Sequence, residues 1–117
     1  MYKALFISPM IPSFQMKETI LFFTDILNFS VELDMETYAI CKKDGLTIHI
    51  LPAGEDIGQM EFYMEVDDVD GVWASIKDKV QGMKFREPFD QDYKMREIHI
   101  EIPQTKTLLF IGQEIGG

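Results

Sequence analysis

The residues with the most chemistry to offer stand two apart along strand-like stretches. Thr47, His49 and Leu51 alternate with Leu46, Ile48 and Ile50. Glu61, Tyr63 and Glu65 alternate with Met60, Phe62, Met64 and Val66, and Glu97, His99 and Glu101 alternate with Ile98, Ile100 and Ile102. A period of two sends each set to its own side of a strand, and only the apolar side is fit to pack under helices. If the strands lie side by side, His49, Leu51, Glu61, Tyr63, Glu97 and His99 collect on the opposite faces. Two imidazoles among carboxylates have the chemistry to bind a ligand, hold a divalent ion or move protons. The same pattern also describes an ordinary solvated sheet face. Tyr63 and Leu51 point toward a ligand groove, since a purely solvated face rarely needs them.

Other reactive groups lack partners. Cys41 is the single cysteine, so it forms no internal disulfide, and within the strand-like Tyr-Ala-Ile-Cys-Lys it reads as a packed thiol. No Gly-rich phosphate loop follows a strand, and no serine is marked by a nearby histidine. His49 with Glu61 would be the pair for metal-free acid–base work.

The elements that must position these residues come in a repeated order. Residues 4–11 read as a strand, and Met16, Ile20, Phe23 and Leu27 predict a helix over 16–28 that stops at Asn28. Strands follow over 30–36 and 37–43, and Asp44-Gly45 turns the chain into a strand over 46–51. The second half restarts with a strand over 60–66. Asp67 or Asp68 caps a helix striped by Val69, Val72, Trp73, Ile76 and Val80, which assigns Trp73 to the core. A short strand near 83–87, a Pro/Asp-rich loop over 88–94, and strands over 95–102 and 106–112 complete the chain. The loop Asp90-Gln-Asp92-Tyr93 is placed to act as a lip. The halves repeat at about 56 residues, and neither can bury its sheet face alone. The reading is α+β, one domain with a first module over about 1–57 and a second over about 58–117.

The chain has 117 residues and a net charge of −9, with no basic cluster longer than Lys42-Lys43. A phosphate backbone needs a positive face, so nucleic acid is not expected as a partner. An acidic surface favours cationic ligands. No run reaches the length of a membrane span and the first residues lack signal-peptide architecture, which predicts a cytoplasmic protein without membrane partners.

Three segments resemble the glyoxalase / bleomycin-resistance / dioxygenase (vicinal oxygen chelate) superfamily, closest to its non-metal bleomycin-resistance branch. They are Pro9-Met-Ile-Pro12 leading into Phe22-Phe23-Thr-Asp25-Ile-Leu27-Asn-Phe29, Phe62-Tyr-Met-Glu-Val66-Asp-Asp68, and Met95-Arg96-Glu97-Ile98. Gln15 stands where such proteins usually carry an Asp helix cap, Asn28 where they carry Gly, and Ile102-Pro-Gln-Thr105 where they carry Asp-Pro-Asp-Gly. The resemblance implies paired βαβββ modules whose curved mixed sheets form cups, a homodimer, and a small-molecule ligand. In metal-dependent members the first and last strands of each module supply the ligands. The matching positions are Ser8, His49, Glu61 and Leu109, or Phe110 if the register slips by one. His49 and Glu61 would coordinate, Ser8 is a poor donor and Leu109 is none, and a stable site wants at least three protein ligands. The expectation is therefore a binding protein without a cofactor that sequesters a cationic or amphipathic compound. The cup residues would be Ser8, His49, Leu51, Glu61, Tyr63, Glu97, His99 and Leu109, with Phe89 as a further flat surface. The alternative is a metal-dependent lyase, isomerase or dioxygenase that uses His49 and Glu61.

Overall fold

A computed structural model describes residues 1–116. In the first half β1 (Met10–Ser13) leads through α1 (Met16–Leu21) and a π-helical turn (Phe22–Ile26) into β2 (Ser30–Met35), β3 (Tyr38–Lys43) and β4 (Leu46–Pro52). The second half repeats the order with β5 (Met60–Glu65), α2 (Val69–Ile76), β6 (Phe85–Asp90), β7 (Met95–Glu101) and β8 (Thr107–Glu114). Each half makes a four-stranded mixed sheet, ordered β1-β4-β3-β2 and β5-β8-β7-β6. The first strand of each module runs parallel to its last, and the other pairings are antiparallel. These are the two βαβββ modules the sequence implied. No helix among the described residues is long and apolar enough to cross a membrane.

Local chemistry explains the boundaries. Asn28 takes the left-handed conformation at φ 63° and ends the first helix, where the Phe29 amide reaches back to the Phe23 carbonyl at 2.9 Å. Asp44 and Gly45, at φ 51° and 81°, make the two-residue turn of the β3–β4 hairpin. Asp68 accepts from the Gly71 amide at 3.0 Å and caps α2. Gln15 makes no such cap. The neighbouring Ser13 hydroxyl accepts from the Gln15 amide at 3.0 Å and pairs with the Thr19 hydroxyl at 2.6 Å. Thr19 also donates to the Pro103 carbonyl, and the Phe14 amide to the Gln104 carbonyl, which ties the start of α1 to the last turn of the second module. Gln104 is left-handed in that turn and Thr105 bonds across it, doing without the Asp-Pro-Asp-Gly geometry.

Three expectations need correction. The opening strand is Met10–Ser13 rather than 4–11, because β1 pairs with β4 over His49–Pro52 and Pro9, lacking an N–H, donates nothing that would carry the ladder back. Residues 1–7 form an exposed arm. The strand expected near 83–87 is Phe85–Asp90 and runs into the segment read as loop. A register shift between Arg86 and Phe89 absorbs Pro88, which a regular ladder would reject. The last strand extends to Glu114.

One core spans both halves. Ile11, Phe22, Phe23, Ile50, Ile76, Val80, Ile98, Ile100, Leu109 and Ile111 are all nearly or fully enclosed. Each contributes on the order of 1.5–3 kcal/mol by leaving water. Trp73 packs on this core against Phe85, at 5.6 Å between rings, as the helical stripe predicted. The backbone at Asn28 supplies a test. Asn28→Val, forced to positive φ, should cost about 1–3 kcal/mol in urea unfolding, whereas Asn28→Gly should cost nothing.

Candidate functional site

The register of the second sheet lines up its uncovered face in rows. Tyr63, Phe110, His99 and Arg86 form one row across β5, β8, β7 and β6, and Glu65, Gly112, Glu97 and Phe89 form the next. Glu61, Leu108 and Glu101 stand in a third. Helix α2 packs on β6, β7 and β8, and Ile98, Ile100, Leu109 and Ile111 are buried on the other face.

Glu97 is the centre of this face. It is only 3% exposed and accepts three hydrogen bonds, from Tyr93 Oη at 2.8 Å, His99 Nε2 at 2.9 Å and Gln91 Nε2 at 3.2 Å. Burial pushes its carboxyl up. The bonds from His99, Tyr93 and Gln91 outweigh burial and hold it below the ordinary carboxylate range. Gln91 and Tyr93 reach it from the β6–β7 turn, which closes through Gln91 N to Met95 O at 2.7 Å and places Lys94 at φ 62°.

His99 is boxed by rings. Phe110 stacks on it with centroids 3.9 Å apart, and Phe89 meets it edge-on at 4.9 Å. The Arg86 guanidinium lies 3.4 Å over the Phe89 ring. Tyr63 crosses the sheet above Gly112, where a Cβ would come within 2.7 Å of its ring and 3.2 Å of the Glu97 side chain. Its phenol donates to Glu65 at 3.1 Å. Burial first, then the Glu65 bond and the negative charges of Glu65 and Glu97, push its pKa up to about 12.

The first sheet presents a different face. Ser8 and Thr47 are joined through their hydroxyls, and Tyr38 Oη bonds His49 Nδ1 at 2.5 Å. Leu51 lies opposite Pro12, and Leu33, Met35, Ile40 and Met10 complete a largely hydrocarbon surface.

A bleomycin-binding protein from Streptomyces verticillus, solved with copper(II)-bleomycin, superposes with TM-score 0.79 at 16% identity over 100% of both chains. A glyoxalase/bleomycin resistance protein/dioxygenase from Nocardioides gives 0.77 at 15%, over 100% of this chain and 88% of that one. A lactoylglutathione lyase from Agrobacterium tumefaciens gives 0.77 at 11%, over 96% of each. The chain has the glyoxalase/bleomycin-resistance fold. No family model and no curated protein matches the sequence.

Within that fold the sequence candidates separate. Glu61, Tyr63, Glu97 and His99 share the face of the second sheet, and His49 and Leu51 belong to the first, while Ser8 precedes β1 outside the sheet and reaches it only through the Thr47 hydroxyl. Leu109 does not face a cup. It pairs with Ile100 and Phe62, fully buried on the helix side, and the cup position beside it is Phe110. A one-residue slip exchanges the two faces of a strand, and the changed turn over 102–105 sets the register at this point. The four metal-matching positions thus carry a hydroxyl on the segment before β1, an imidazole in the first sheet, and a carboxylate and an aromatic ring in the second. Among the described residues no three His, Cys, Asp or Glu side chains are grouped to hold an ion. This donor set does not fit the metal-dependent pattern. Cys41 is buried, and burial together with the Asp34 charge pushes its thiol up, which suits a packed thiol.

A cleft of about 890 Å³ opens at the seam of the modules, with Ser8, Tyr63 and Leu109 on its walls. Its remaining lining is mainly hydrocarbon from Phe6, Phe23, Phe29, Phe62 and Met64. Tyr63 and Glu65 enter it from the polar face of the second sheet, whereas Glu97, His99 and Phe110 lie outside its lining. The sequence pattern marks no role for Arg86 or Gly112, and names Gln91 only as part of the 90–93 lip.

Two outcomes follow from this geometry. Glu97 is depressed in the folded state, so its stabilisation is complete above the unfolded carboxyl pKa of about 4.3 and fades as pH falls through the lower folded value. In urea titrations the wild type should exceed Glu97→Gln by about 1–3 kcal/mol near neutrality, with the gap closing toward about pH 3. Gly112→Ala should drive the Tyr63 ring off the sheet, moving the Tyr63 ring resonances while the urea midpoint drops by less than about 1 kcal/mol equivalent.

Proposed function

We propose that this chain is a small-molecule-binding protein that sequesters a cationic or amphipathic compound in a sheet-lined cup. The observation that carries the reading is the face of the second sheet. A buried, ionised carboxylate there is ringed by Tyr63, Tyr93, Phe89, Phe110 and His99, with Glu61, Glu65 and Glu101 around it. Flat rings supply contact area at little entropic cost, and the carboxylates supply a field that selects positive charge. The fold likeness to a bleomycin-binding protein agrees with this chemistry, since binding alone needs no ligand set for a metal. The likeness to a lactoylglutathione lyase brings no comparable support, because Ser8 and Phe110 stand at two of the four positions a metal would use.

The protein would act as a cytoplasmic homodimer. Met10, Leu33 and Met35 stand exposed on the first sheet, and Leu5, Phe6 and Ile7 on the leading arm. That much uncovered hydrocarbon is what a second copy would bury.

Calorimetric titration with metal-free bleomycin tests the reading. Saturable binding is expected, weakened by about tenfold or more in Phe110→Ala, since a lost aromatic wall is worth about 1.4 kcal/mol or more. No heat from bleomycin or from simple aromatic cations would remove it.

A further inference from the structure

We infer that His99 is set as a hydrogen-bond acceptor, so that the cup of the second sheet selects cations that carry N–H donors, namely ammonium, amidinium or guanidinium groups. The inference rests on the binding reading above and names the ligand chemistry it would require.

An ionised carboxylate only accepts hydrogen bonds, so His99 Nε2, 2.9 Å from Glu97 Oε1, must be the donor. A neutral imidazole that donates from Nε2 keeps Nδ1 as a bare acceptor. Nδ1 takes no hydrogen bond among the described residues and is not sealed from solvent. The ring cannot turn this acceptor away, because Phe110 covers one face, Phe89 abuts it edge-on, and Glu97 holds the far nitrogen. Only the in-plane edge at Nδ1 is left for a ligand, and an in-plane acceptor asks for a donor.

The surrounding charge points the same way. Glu97 and Glu101 face His99 from β7, Glu61, Tyr63 and Glu65 from β5, Arg86 from β6, and Tyr93 from the turn. Arg86 is the one cation in this set, and it lies over Phe89. Four carboxylates against one guanidinium favour a positive ligand. A cation without N–H would satisfy the field but leave Nδ1 unpaired. An acceptor group such as a carbonyl would meet Nδ1 lone pair to lone pair.

The test compares benzamidinium, phenyltrimethylammonium and benzamide by calorimetry on the full chain, with His99→Phe as the variant that keeps the ring stack and removes the acceptor. Benzamidinium is expected to bind at least about tenfold tighter than phenyltrimethylammonium and to lose that preference in His99→Phe. Nitrogen-15 spectra of the unliganded protein near pH 8 should show a protonated Nε2 and a bare Nδ1. Equal affinity for the two cations, a preference that survives His99→Phe, or a protonated Nδ1 in the spectra would each overturn the inference while leaving the binding reading standing. Failure of all three probes and of bleomycin would overturn both.

Discussion

Each sheet in this protein has one short helical segment to cover it, and most of the structure follows from that shortage. A four-stranded sheet has two faces, and one helix closes only one of them. The residues under the helices are accordingly a nearly unbroken set of Ile, Val, Leu and Phe, drawn from both modules into one core. The other faces are left to ligands, partners and water. Alternation along β4, β5 and β7 is therefore the imprint of two different environments on one strand.

The two uncovered faces have been filled with different chemistry despite their common architecture. On the first sheet Tyr38 and His49 satisfy each other, and Ser8 and Thr47 do the same, within a surface that is otherwise mostly hydrocarbon. On the second sheet a carboxylate has been drawn almost out of water at Glu97. A buried charge is tolerable only when donors converge on it, and here they come from β7 itself and from the β6–β7 turn. One side chain thereby orders the turn, fixes the orientation of His99, and sets the sign of the surrounding field. Gly112 completes the arrangement by leaving room for Tyr63 to lie across the sheet. A duplicated fold can thus present one mostly apolar sheet face and one polar sheet face.

The order of elements, the duplicated module and the α+β class can be read from the residues alone. Those signals are local: the left-handed stop at Asn28, the Asp44-Gly45 turn, the Asp68 cap, and the alternation that separates Ile98 and Ile100 from Glu97 and His99 all act within a few residues. Tertiary structure decided whatever depends on one strand's position against another. It placed Phe110 rather than Leu109 beside His99, because register across β7 and β8 is set by a hairpin turn whose geometry the motif did not predict. It shortened the opening strand to Met10–Ser13, because pairing with β4, and not the apolar run 4–7, chooses which residues enter the sheet. It brought Gln91 and Tyr93 onto Glu97, and separated His49 from Glu61 into two sheets. A pattern of period two tells which residues share a side of a strand, whereas contact across strands is a property of register, which no single strand encodes.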